Sequence, residues 1–249
     1  MHNVKYIASC SFGKDSLAAI IVRLEHGEPI DLALYCRIMF DDHISAELPE
    51  HEEWIHAHAI PLLESRYGIK TEIVQAKKNY TDRFFAVKQK RTKNEGKIYG
   101  FPFSLGAWCN SKLKVNPLTS AQKSLGEHKL IVGIAADETK RIPRAIAKGQ
   151  MLPLVDYGIT EAAAMEICRA NDLLSPAYNG GRERLGCWFC HNQRVGELRR
   201  LRHEHPELWD KLMALDAVSP VNFKPDYRLS YYDARFESVD EQLSARPRE

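Results

Sequence analysis

The sequence predicts an α/β protein. A doubly wound, five-stranded parallel sheet is expected over residues 1–158. A helical C-terminal extension with a Cys-x-x-Cys pair is expected over residues 159–249, packed on the same domain. Three observations predict this. Short apolar runs of strand length alternate with longer segments of helical period, at the spacing of right-handed crossovers. The first run, Val4 to Ala8, empties into a small-residue loop, Ser9-Cys10-Ser11-Phe12-Gly13-Lys14-Asp15-Ser16, that opens directly into an apolar helix, Leu17 to Val22. After Val155 helical patterning takes over from strands.

Taken in order, Val4 to Ala8 reads as a buried parallel strand and Leu17 to Val22 as a buried helix. Ile30 to Met39 is the second strand. It ends at Phe40-Asp41-Asp42-His43, where acids beyond a parallel strand's C-terminal end face the ligand crevice. Pro49 opens a helix with Glu50, Glu52 and Glu53 in its first turn and an apolar stripe of Trp54, Ile55, Ala59, Leu62 and Leu63; Gly68 stops it. Thr71 to Gln75 is the third strand. Lys77 to Lys97 is locally basic, with Tyr80, Phe84, Phe85 and Tyr99 interleaved. That stretch fits either a solvated helix face or a groove for a polyanion such as a nucleotide or nucleic acid. Leu130 to Ile134 is the fourth strand, with Gly133 at its end, and Met151 to Val155 a short fifth. Thr160 caps a helix over Glu161 to Ala170. Glu197 to Leu215 is helical and broken in two by Pro206. The tail after Pro220 shows no strong period, and its last ten residues are expected to be disordered.

A chain of 249 residues can bury a sizeable core, and a net charge of +2 leaves only local patches to argue for nucleic acid. The first apolar run is too short for a signal peptide and none is of membrane-spanning length, so no membrane partner and a cytoplasmic location are expected. In that setting six cysteines point to metal or redox chemistry rather than to disulfides.

Two constellations carry chemistry. The loop aims backbone N–H groups and the positive end of a helix dipole at one spot, which suits phosphate. Lys14 adds charge there, Ser11 and Ser16 add hydroxyls, and Gly13 allows close approach. It is not a Walker A, because Ala8 stands where the first Gly belongs and Asp15 follows Lys14. The second constellation is Cys187-x-x-Cys190, a two-ligand clip that fits a redox pair, half a zinc site or part of an iron–sulfur site. Cys109 is a third thiolate candidate and Cys168 a candidate fourth, while Cys10 and Cys36 read as plain buried residues. Three thiolates with one open position suit a 4Fe–4S cluster; four protein ligands suit a closed site, zinc or cluster. Buried cysteines without metal are the bland alternative.

The loop resembles the PP-loop of the ATP pyrophosphatases (adenine nucleotide α-hydrolases), Ser-Gly-Gly-Lys-Asp-Ser, with Phe12 in place of the first Gly. Three further segments resemble the phosphoadenosine phosphosulfate (PAPS) reductase-like branch. They are Trp108-Cys109 with Lys112, Lys114 and Pro117; Gly133-Ile134-Ala135-Ala136-Asp137-Glu138 with Arg141; and Gly186-Cys187-x-x-Cys190. Ala135 departs from that branch's usual Arg, and Thr139 from its usual Ser. The resemblance implies a Rossmann-like sheet with ATP or an adenylyl-sulfate at the strands' C-terminal ends. It implies Ser11, Phe12, Gly13, Lys14, Asp15 and Ser16 around the phosphates, Gly133 and Glu138 beside them, and Asp41 near the nucleotide's edge. Lys112, Arg141 and Arg144 would meet sulfate, pyrophosphate or substrate, with Lys14, Asp15, Lys112 and Arg141 as the catalytic set and Mg²⁺ bridging the phosphates.

Sulfonucleotide reductases of this type carry a catalytic Cys in a C-terminal tail, and Ser219 to Glu249 has none. The tail instead fits two sulfur-transfer branches, DNA phosphorothioation proteins and tRNA 2-thiolation enzymes. The implied activity is ATP-dependent adenylation followed by iron–sulfur-assisted sulfur transfer to a nucleotide or nucleic acid. It would call for a sulfur donor or reductant protein, and an oligomer is compatible. The alternatives are a PAPS or adenylyl-sulfate reductase and a non-catalytic nucleotide- or nucleic-acid-binding module.

Overall fold

The structure, a computed structural model, describes residues 4–89, 94–102 and 107–244. It contains two compact units, each assembled from separated stretches. The first takes Met1–Ile38, Glu47–Ala76 and Lys114–Gly186; the second takes Met39–Ala46, Lys77–Leu113 and Cys187–Glu249. Residues 159–186 therefore cluster with the sheet, and those from Cys187 onward with the second unit.

The first unit is built on a parallel sheet in the order β3-β2-β1-β4, with β1 Lys5–Cys10, β2 Leu32–Arg37, β3 Thr71–Gln75 and β4 His128–Val132. Ala8 of β1 faces Ala33 of β2 on one side and Ile131 of β4 on the other. The chain leaves β1 toward β2 and later returns to β1's other edge as β4. The C-terminal end of β1 is thus the point where strand order reverses, and open α/β sheets bind ligands there.

Five strands were expected, and four form among the described residues. Met151 makes one parallel bridge, donating to Leu130 O at 2.8 Å and accepting from Val132 N at 3.0 Å. Two residues later Pro153 starts the short helix Pro153–Asp156. Proline has no N–H for a ladder and its fixed φ suits the first helical turn, so the apolar run cannot continue as a strand.

Helix α1, Lys14–Glu25, follows β1 after three residues. Its Leu17, Ala18, Ile20 and Ile21 are fully buried, and it packs against the helix Glu161–Ala170 through Ala164 and Cys168. Each such aliphatic side chain contributes roughly 1.5–3 kcal/mol, so α1 is anchored on every side. The Pro49–Trp54 helix passes through a π-helical segment, Ile55–Ala59, into Ile60–Tyr67. Pro61 cannot donate and its ring crowds the carbonyl four residues back; the wider turn relieves this. Gly68, in the left-handed region at φ 68°, ends the helix as its sequence position predicts.

The second unit has an aromatic core that includes Phe40, Tyr80, Phe84, Phe101, Trp188, Phe189 and Phe223. Within the basic stretch, Tyr80–Phe84 is a short helix started by an Asn79/Asp82 capping box, and it turns Tyr80 and Phe84 inward. Phe85 and Tyr99 are exposed, and Lys88 lies 5.5 Å from the Tyr99 ring centre. Lys90, Arg91 and Lys93 lie outside the described residues. Where no period was legible, Leu229–Ser244 is a helix. Leu229, Tyr232 and Phe236 are buried along it, and its backbone stays helical to Ser244, inside the ten residues expected to be disordered; residues 245–249 are outside the described set. No helix among the described residues is long and apolar enough to cross a membrane.

Candidate functional site

The loop Ser11–Gly13 joins β1 to α1 at the switch point. Ser16 clasps it: its Oγ accepts the Ser11 N–H at 3.2 Å and donates to Gly13 O at 2.9 Å. Ser11 is exposed, with its Oγ 3.4 Å from that of Ser16. Phe12, at the position where the related motif has glycine, sits at φ 56°. A left-handed conformation costs a side-chain-bearing residue about 1–2 kcal/mol. The ring offsets this by complete burial, edge-on to Tyr35 at 5.1 Å. So the motif's glycine has a conformational cause, and this chain meets the same backbone demand with an anchored aromatic. Gly133 has a different role from ligand contact. A Cβ there would stand 2.3 Å from Asp15 O and 2.6 Å from Ser16 N, so the end of β4 touches the first turn of α1 backbone to backbone.

The charges form a compact group. Lys14 is 3% exposed; its ammonium donates to Asp15 Oδ1 at 2.7 Å and Glu161 Oε2 at 3.2 Å. Burial pushes the Asp15 carboxyl above its ordinary range, against the pull of Lys14 and with the help of Glu161 and Glu138. Glu138 accepts from Arg141 at 2.8 and 2.6 Å and from the Ala135 N–H at 3.3 Å, and Asp137 accepts the Glu161 N–H at 3.1 Å. Arg144 is exposed. With Asp15, Asp137, Glu138 and Glu161 against Lys14 and Arg141, a polyphosphate here needs a divalent cation between its oxygens and the carboxylates. That donor set suits Mg²⁺.

Sequence reasoning missed Glu161 and Tyr178. The Lys14 N–H donates to Tyr178 Oη at 2.9 Å, and a Cβ on Gly13 would stand 3.4 Å from that hydroxyl. Nothing local marks either residue, because both reach the loop from about 150 residues away or more. Cys168 also belongs here. Its Sγ donates to Lys14 O at 3.1 Å, and burial pushes its thiol up to about 12.

The other expected site residues fall in the second unit. Asp41 Oδ1 accepts the N–H groups of His43 (2.9 Å) and Ile44 (2.8 Å), closing the turn after Met39. Lys112 is exposed on the π-helical segment Asn110–Val115. Cys109, Cys187 and Cys190 lie in the segments around Tyr80; burial pushes the Tyr80 hydroxyl well above its ordinary range, and the three cysteines add to that shift. The Cys187–Cys190 turn is held by Cys190 N donating to Cys187 O at 2.9 Å and by the Gln193 amide donating to Cys187 O and Trp188 O at 2.8 and 2.9 Å. Trp188 is pinned through its N–H to Ala46 O and its indole to Ser45 O, both at 2.8 Å. Burial, with Cys190's charge adding, pushes the Cys109 thiol up to about 11.

These thiols are the residues that would hold a soft metal group, and two buried donors lie beside their segments. Tyr80 Oη and Trp108 Nε1 are buried donors with no hydrogen-bond partner among the described residues, and their rings lie 4.9 Å apart. Buried orphan donors of this kind are rare. A sulfide-rich cluster bound by soft thiolates would supply acceptors for both, and its cations would offset the cost of ionising the thiols. No three His, Cys, Asp or Glu side chains among the described residues are drawn together at metal-ligand spacing. His191 is 4% exposed, and neither ring nitrogen has a hydrogen-bond partner among the described residues.

No family model matches the chain. It is 27% identical over 213 residues to an uncharacterized protein of Methanocaldococcus jannaschii, a match that takes in 81% of this chain and 39% of the relative, so the chain spans about two fifths of that relative's length. Among solved structures it is similar to the PAPS reductase of Candida auris in its phosphate complex, at 14% identity and a TM-score of 0.49 over 75% of this chain and 83% of that one. It is also similar to the U34-tRNA thiolase NcsA of Methanococcus maripaludis with its 4Fe–4S cluster, at 15% identity and a TM-score of 0.44 over 85% and 72%.

Proposed function

We propose that this chain is a PAPS reductase-like PP-loop enzyme that cleaves ATP between its α and β phosphates and uses the resulting adenylate for sulfur transfer to a nucleotide or nucleic acid. The observation that carries the reading is the loop itself. A strand, a three-residue turn clasped by Ser16, and a buried helix meet at the switch point of a parallel sheet, with Gly133 pressed against the helix's first turn.

An acceptor oxygen attacks the α-phosphorus, the α–β bridging bond breaks, and pyrophosphate leaves. A sulfur nucleophile then attacks the adenylated centre, and AMP departs with the acceptor's oxygen. The loop N–H groups and Ser11 hold the phosphate oxygens, and Lys14 and Arg141 oppose the charge that builds on the leaving pyrophosphate. Asp15 offers a carboxylate to Mg²⁺. Cys109, Cys187 and Cys190 would hold a 4Fe–4S cluster, which supplies an open iron for sulfur when bound. Lys77, Lys78, Arg83, Lys88 and Lys97 would draw a nucleic-acid strand by phosphate attraction. The thiols require a reducing compartment such as the cytoplasm, and the sulfur donor is a separate partner.

The test is ATP labelled at its α-phosphorus, incubated with the protein and a mixed RNA and DNA acceptor pool. Labelled AMP is expected, with its formation lost in Lys14→Ala. Labelled ADP, or AMP at an undiminished rate in Lys14→Ala, would overturn the assignment.

A further inference from the structure

Tyr80 is held rigidly. The capping box fixes the start of its helix, and its own N–H donates to Met39 O at 2.9 Å. Phe189 at 4.2 Å, Trp108 at 4.9 Å and Phe40 at 5.9 Å enclose its ring. The residue is fully buried, yet its hydroxyl has no hydrogen-bond partner among the described residues. An unmatched buried hydroxyl costs roughly 1–3 kcal/mol, and phenylalanine would fill the same space without that cost. A bound group that accepts a hydrogen bond would remove that cost. The Tyr80 ring packs on Phe189, which stands between Cys187 and Cys190, and on Trp108, which precedes Cys109, so the three thiols belong to the segments that enclose it. Trp108, the residue before Cys109, repeats the pattern with an unpartnered indole N–H.

We infer that Tyr80 and Trp108 are positioning residues for sulfur: the Tyr80 O–H and the Trp108 Nε1–H donate hydrogen bonds to the sulfides or cysteinyl sulfurs of the bound cluster and set its reduction potential. This rests on the reading above. The sign follows from charge. A donor stabilises the more negative, reduced cluster and raises the midpoint potential; removing it lowers the potential.

The experiment is an anaerobic redox titration, followed by absorbance and electron paramagnetic resonance, of wild type, Tyr80→Phe, Trp108→Phe and, as a control, Tyr99→Phe on the exposed surface. The expected result is retained iron and sulfide, a midpoint displaced to more negative values in Tyr80→Phe and in Trp108→Phe, and none in the control. Iron–sulfur signals with unchanged potentials in both variants would overturn this inference and leave the cluster standing. Zinc, or no metal, in the wild type would overturn the cluster and the inference together. Cluster loss from Tyr80→Phe with an unshifted Trp108→Phe would also overturn it, because the hydroxyl would then serve assembly and not potential.

Discussion

Single residues decide whether the loop can exist. Gly133 is the sharpest case, since its missing side chain lets β4 meet the backbone of Asp15 and Ser16. Gly133→Ala is expected to cost about 2–3 kcal/mol, as an overpacked contact with backbone that cannot yield. Chemical denaturation checks the stability, and pyrophosphate binding should be lost in the same variant. An unchanged midpoint would mean that the two segments part freely. At this scale the sequence is legible where a residue's reason is local. Ser11, Gly13 and Ser16 are small or hydroxylic because the turn requires it, so the motif shows its purpose. Phe12 obscures that purpose only until its left-handed φ and buried ring are seen together. Tyr178 and Glu161 were invisible, since one hydroxyl or carboxylate arriving from a distant segment leaves no periodicity behind it.

At the scale of elements, His51 in the Pro49–Trp54 helix and Glu47 just before it are shifted in opposite directions. Burial raises the Glu47 carboxyl to about 7 and lowers the His51 imidazole to about 4; the two groups lie 3.9 Å apart, and His51 Nδ1 is 2.8 Å from Ser175 Oγ. Lys114 and Glu52 also act on Glu47. Glu47 is protonated in the fold and ionised in the unfolded chain between about pH 4.5 and 7, so its contribution to stability falls as pH rises through that window. His51 is neutral in the fold and charged in the unfolded chain between about pH 4 and 6.5, so its contribution rises with pH. The two slopes oppose each other. Glu47→Gln should therefore leave a stability that climbs from pH 4 to 6.5, and His51→Gln one that declines from pH 4.5 to 7, each relative to wild type in urea titrations. Parallel profiles for all three proteins would refute the pairing. The same scale shows where strand and helix patterns mislead. Met151 to Val155 reads as apolar strand, but Pro153 decides it. The tail helix was unreadable because its start is satisfied from elsewhere. Asp216 accepts the N–H groups of Leu229 and Ser230 at 3.0 and 3.3 Å, and Arg199 and Arg202 pair with Asp240 and Asp233 along its side.

Across the whole molecule, the parallel sheet was legible because alternating apolar runs and turn residues encode it segment by segment. The second unit was not, since it draws three stretches from three separate places in the chain. Its cysteines could be singled out by spacing, yet the tyrosine and indole donors around them emerge only from packing. The proposed sulfur transfer needs both a nucleotide loop and a thiolate-bound cluster. Anaerobic purification of wild type and Cys187→Ser, with iron, sulfide and zinc analysis, is its sharpest test. About four irons and four sulfides per chain are expected, lost in Cys187→Ser while the labelled-ATP cleavage site is unchanged. One zinc with no iron, or a chain free of metal in both proteins, would contradict it.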